Sequence, residues 1–149
     1  MADFKDSSTP WNYVNEARKI IETTSATIWQ QEHWEQIIQL REVFDFLGSG
    51  ETYGLANIMQ LLNDQAIIAA QKTGNHLCAG RYLHEKGQAL HRQGKHKEAI
   101  QAFNTSYDHY QIAGAPFNAR ESLHMTSLCY RALRETALAK KIIAQVLLE

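Results

Sequence analysis

Residues 83–107, Leu83-His-Glu-Lys-Gly87-Gln-Ala-Leu90-His-Arg-Gln-Gly94-Lys-His-Lys-Glu-Ala99-Ile-Gln-Ala-Phe103-Asn-Thr-Ser-Tyr107, read as two helices joined by a tight turn. Gly94 supplies the left-handed backbone that ends a helix at little cost. After it, Ala99, Ile100, Phe103, Ser106 and Tyr107 recur at helical spacing and give the second helix one packing face. Before it, Leu83, Gly87 and Leu90 do the same for the first helix, and Gly87 and Ala89 are small enough to admit another backbone.

At these positions the chain resembles the tetratricopeptide repeat, whose pattern runs Trp-x2-Leu-Gly-x2-Tyr, then Ala-x3-Phe, then Pro. Leu83 stands for the large first residue, Gly87 for the glycine, Leu90 for the tyrosine, and Ala99 and Phe103 for the second-helix pair. Lys86 departs from the apolar residue beside the glycine, and no proline closes the unit, which runs on to Gly114. The resemblance therefore points to a long-helix variant, similar to the repeat arrays of signalling ATPases. A shift of forty residues aligns Leu83 with Leu123, His84 with His124, Gly87 with Ser127, Leu90 with Tyr130, Ala99 with Ala139 and Phe103 with Ile143. Arg134 takes the place of Gly94, so the last hairpin is expected to turn less sharply or to run as one bent helix.

Outward from this unit, residues 1–8 are expected to be loose, and Thr9-Pro10 opens a first helix with Thr9 as cap. Trp11, Val14, Ala17 and Ile21 form its stripe, and a break is expected in Thr23-Thr24-Ser25-Ala26-Thr27, residue types that weaken helices. A second helix over about 28–47 carries His33, Ile37, Leu40, Phe44 and Leu47, with Trp29 and Trp34 adding bulk, and Gly48-Ser49-Gly50 stops it. Leu55, Ile58, Met59, Leu62, Ala66, Ile67 and Ala70 mark the next helix, closed by Thr73-Gly74-Asn75. The expected fold is all-α: a single domain over 9–149, built as a leading helix and three hairpins (about 28–74, 76–114 and 116–148) in a right-handed α-solenoid. Each unit of such a stack buries its stripe only against its neighbours. The final run Ile142-Ile143-Ala144-Gln145-Val146-Leu147-Leu148 is apolar where a terminal unit is normally polar. Self-association there, or a continuing array, is expected to cover it.

Composition narrows the function. With 44% hydrophobic residues the chain can build a core, and 15 Lys plus Arg against 16 Asp plus Glu leave no overall field for nucleic acid or an anionic membrane. The two cysteines, Cys78 and Cys129, are too few for a disulfide framework and read as buried thiols. The N-terminus lacks the apolar core of a signal peptide and no run reaches spanning length, so a cytoplasmic location is the expectation.

Chemistry is sparse. His84-Glu85 with Gln88 three residues on misses the second histidine of a zinc-protease helix, and His91 and His96 are divided by the turn. His76 and Cys78, two apart, face different ways on a helix. Gly48, Gly50 and Gly54 lack the lysine and preceding strand of a phosphate loop. No catalytic residue, metal or cofactor is expected. What remains is the exposed face of the first helix of each hairpin, which in tetratricopeptide-repeat proteins lines the groove for a partner peptide. Arg81, His84, Gln88 and Arg92 share one face with His91 beside them, and His124, Leu128 and Arg131 take the equivalent places forty residues on. Residues 81–98 hold five Lys or Arg against two Glu, which suits an acidic peptide or a carboxylate terminus. The family's clamp for chaperone tails has an asparagine where Gln88 stands. Two other functions share these residues: a regulatory segment of a larger signalling ATPase, and an RNA- or nucleotide-binding repeat protein using Arg81, Arg92 and Arg131.

Overall fold

Gly74, Gly94, Gly114 and Arg134, at twenty-residue intervals, all have left-handed backbones, with φ of 70°, 78°, 69° and 61°. Each closes a helix by the same pair of bonds. In the second turn Gly94 N donates to His91 O at 3.0 Å and Lys95 N to Leu90 O at 2.9 Å, and in the fourth Arg134 N donates to Arg131 O at 3.0 Å and Glu135 N to Tyr130 O at 2.8 Å. This is the Schellman closure. The residue after each turn then accepts the first bond of the next helix, from Ala79, Ala99, Ala119 and Ala139, all of them buried. Arg134 thus turns as sharply as Gly94, against the looser turn expected from its side chain. Two hydrogen bonds and the packing behind them hold a conformation that costs an L-residue roughly 1–2 kcal/mol.

The structure, a computed structural model, describes residues 10–47 and 55–148. They form seven helices and no strand: α1 (Pro10–Gln30), α2 (Trp34–Leu47), α3 (Ala56–Thr73), α4 (His76–Arg92), α5 (His96–Ile112), α6 (Pro116–Ala132) and α7 (Thr136–Leu148). The Thr9 cap, the loose 1–8 segment and the Gly48-Ser49-Gly50 stop lie outside the described residues. The chain packs as two compact units, 1–69 and 70–149, with the boundary inside α3.

In the first unit α1 runs unbroken to Gln30, through the expected break. Ser25 Oγ donates to Glu22 O at 3.1 Å and Thr27 Oγ1 to Thr23 O at 2.9 Å, so these hydroxyls bond back to the helix instead of competing with it. Ile28 therefore belongs to α1, and α2 begins only at Trp34. Glu32, at φ 55°, makes the turn, and the rings of Trp29 and Trp34 meet edge-on across it at 5.1 Å. Phe44, Ile58 and Leu62 form the core, with Ile21, Leu40, Leu55 and Met59 packed against them. Ala17 and His33, placed on packing stripes by the sequence, are exposed.

In the second unit α4, α5, α6 and α7 pack each on the next, and α4 also touches α6. His76 meets His109 while His91 meets His96, so α4 and α5 are antiparallel. His84 meets Ser122 and His91 meets Cys129, so α4 and α6 run parallel in a register of 38 residues. Leu83, Gly87, Ala99, Phe103, Leu123, Ser127, Cys129 and Ala139 are buried, and Leu90 and Tyr130 pack partly buried against this core. Two positions differ from the expected stripe. Tyr107 is only half-buried, and Ile143, the counterpart of the fully buried Phe103, is 37% exposed on α7. Among the described residues no helix is long and apolar enough to cross a membrane.

Candidate functional site

The face expected to receive a partner comes from α4 and α6. Gln88 and Arg92 on α4, and His124 and Arg131 on α6, are exposed, and Leu128 is half-buried. Arg92 and Arg131 lie in the last turns of their helices, where cations are favoured by the helix dipole. Neither makes an ion pair among the described residues. Arg81 is differently placed. Its Nη2 donates to Tyr82 Oη at 3.3 Å, its guanidinium lies 4.9 Å from that ring, and Glu85 stands 4.0 Å from its Nε. The positive character of the face therefore gathers toward the C-terminal ends of α4 and α6.

His84 is not a free ligand on this face. It is half-buried, and its Nδ1 lies 2.9 Å from Ser122 Oγ on α6. Ser106 Oγ on α5 donates to Gly80 O at 2.7 Å and also lies 3.0 Å from Ser122 Oγ. One hydroxyl has one proton, which fixes every donor in the chain. Ser106 gives its proton to Gly80, so Ser122 donates to Ser106, and His84 Nδ1–H donates to Ser122. His84 Nε2 is then an acceptor, and Gln88 Nε2 donates to it at 3.2 Å. Burial holds the His84 pKa below its ordinary value, against the opposing charge of Glu121. The ring is neutral and ties α4 to α5 and α6.

His91 also leaves the face. Its Nδ1 lies 3.0 Å from His96 Nδ1 and 3.4 Å from Sγ of Cys129. Sequence spacing separates these three, because the turn divides the histidines and Cys129 lies 38 residues further on. The Schellman closure at Gly94 folds α5 back beside α4 and so joins the first two. The parallel packing of α4 and α6 brings the third. Burial, and the neighbouring His96, lower the His91 pKa, while burial pushes the Cys129 thiol up to about 11. Cys129 is thus a protonated thiol at neutral pH, unlike the thiolate an attacking cysteine needs. At the other end of the α4–α5 pair, His76 Nδ1 meets His109 Nδ1 at 2.9 Å, with Gln71 Nε2 3.5 Å from the far nitrogen of His109. Cys78 is not part of either group and is half-buried.

Comparison with protein-family models, with curated proteins and with solved structures gives no match for this chain.

Proposed function

We propose that this chain is a non-enzymatic protein-interaction module, a right-handed α-solenoid of tetratricopeptide-repeat type whose α4 and α6 receive a partner polypeptide. One observation carries it: two parallel neighbouring helices offer Gln88, Arg92, His124 and Arg131 to solvent, while their packing side chains are spent on α5, on α7 and on each other. The partner is an acidic segment or a free C-terminal carboxylate, which the guanidinium forks of Arg92 and Arg131 meet with charge-assisted hydrogen bonds. The same face would serve if the chain acts as the regulatory segment of a larger signalling ATPase.

Fluorescence anisotropy with a labelled oligoglutamate peptide ending in a free carboxylate tests this. The double variant Arg92→Ala, Arg131→Ala is expected to bind about tenfold more weakly, two exposed charge contacts contributing roughly 1 kcal/mol or less each. Its melting temperature should match that of the parent. Equal binding by the double variant moves the site elsewhere. Salt-dependent retention of a single-stranded RNA, lost in the same variant, would favour the nucleic-acid function instead.

A second contact rests on α7, where Leu138, Ile143, Leu147 and Leu148 are exposed, the last two at 80% and 88%. Apolar exposure of this kind is characteristic of an association surface. Light scattering should show a mass above one chain that falls to one chain in Leu147→Glu, Leu148→Glu. An unchanged mass in that variant excludes α7 as the contact.

A further inference from the structure

We propose that His91, His96 and Cys129 form a binding site for a zinc-type divalent cation, which pins the α4–α5 turn to α6. The three side chains come from three helices, and one ligand atom from each lies within 4.8 Å of the other two. His91 Nδ1 is the hinge of the group, 3.0 Å from His96 Nδ1 and 3.4 Å from Cys129 Sγ. Tetrahedral zinc, with Zn–N about 2.0–2.1 Å and Zn–S about 2.3 Å, separates two nitrogens by about 3.3 Å and a nitrogen from a sulfur by about 3.6 Å. The two contacts of His91 need to open by only a few tenths of an ångström, and His96 and Cys129, within 4.8 Å of each other, close by about an ångström at most. Two imidazoles and a thiolate are a borderline-soft donor set, suited to zinc and poorly suited to calcium or magnesium.

His91 and His96 flank the closure at Gly94, and Cys129 is fully buried in the cluster with Ala99, Ile100 and Phe103. Without a cation, one of the two facing Nδ1 atoms must carry a proton and donate to the other. On binding, that proton moves to Nε2 of its own ring, which frees both Nδ1 lone pairs. The Cys129 S–H bond breaks, its proton passes to solvent, and the sulfur pair goes to the metal. One proton is released per cation bound, and the fourth coordination position is left for water or a donor from a partner. The site is distinct from the polypeptide face and does not depend on it.

Chelator-stripped full-length protein is titrated with Co2+ and then Zn2+. One Co2+ per chain should produce a thiolate-to-cobalt charge-transfer band, Zn2+ should abolish it, and the melting temperature should rise with zinc. Affinity should fall about tenfold for each pH unit lowered between pH 8 and 7, as loss of one thiol proton requires. Cys129→Ser should lose the band, and His96→Gln, a half-buried residue at the start of α5 outside the core, should weaken binding at least about a hundredfold. His109→Ala, which breaks the other histidine pair, should bind as the parent does. The proposal is overturned if the parent shows neither band nor zinc-dependent melting. It is equally overturned if the band persists in Cys129→Ser, if His96→Gln binds as the parent does, or if His109→Ala loses binding.

Discussion

Phe103→Ala is expected to destabilise the 70–149 unit by about 3–5 kcal/mol, the cost of removing a buried ring and leaving its cavity. The ring is fully buried and sits against Gly87, where an added Cβ would stand 2.7 Å from Cε1 and 2.8 Å from Cδ1. Gly87→Ala in the parent should therefore destabilise as well. The overlap costs about 1–3 kcal/mol, and the better helix propensity of alanine returns only about 1 kcal/mol. In the Phe103→Ala background the same change should reverse sign and stabilise, because the methyl then enters the space that the ring occupied. Urea unfolding followed by the helical far-ultraviolet signal measures both. Tryptophan fluorescence is the wrong probe, since Trp11, Trp29 and Trp34 all lie in the other unit. Additive effects of the two substitutions would mean that the ring is not seated on Gly87.

This contact was half legible in the sequence. The forty-residue shift pairs Gly87 with Ser127 and Ala99 with Ala139, and all four are buried. The stronger period is twenty. The left-handed closures at 74, 94, 114 and 134 and the alanines at 79, 99, 119 and 139 mark single helices, not pairs. Arg134 hides that period, because the preference for glycine is a preference about side-chain strain, and here hydrogen bonds outweigh it. Local propensity misled for the same reason at Thr23–Thr27, where the hydroxyls of Ser25 and Thr27 bond to helix carbonyls one turn back.

The cluster of His91, His96 and Cys129 was less legible. His91 and His96 become neighbours only once the turn between them is known to close tightly. Cys129 joins them through the register of α4 against α6. His84–Ser122 and His91–Cys129 are both 38 residues apart, so a polar residue on the α6-facing side of α4 meets its partner at that offset. A search of the sequence at that offset would have found Cys129 opposite His91.

Ser122→Ala is expected to destabilise the same unit by about 1–3 kcal/mol at pH 7, because it strands the His84 Nδ1 donor and one acceptor site of Ser106 at the junction of three helices. The parent should itself be acid-sensitive. His84 is held below its ordinary pKa of 6.5 by burial, partly offset by Glu121. His109 is held below it by burial and by His76, partly offset by Asp108. In both, the unfolded chain takes up a proton at a pH where the folded chain does not. Their contribution to stability is therefore fully present above pH 6.5 and is lost as the pH falls through that value toward the lower folded-state pKa. The bonding around His84 gives the same sign: a proton on Nε2 would replace the acceptor that Gln88 Nε2 needs. Urea midpoints measured from pH 8 to pH 5 in chelator should decline below pH 6.5 in the parent, and less steeply in His84→Asn, whose amide can still donate to Ser122. Equal acid slopes in the two proteins would assign the sensitivity to groups other than His84.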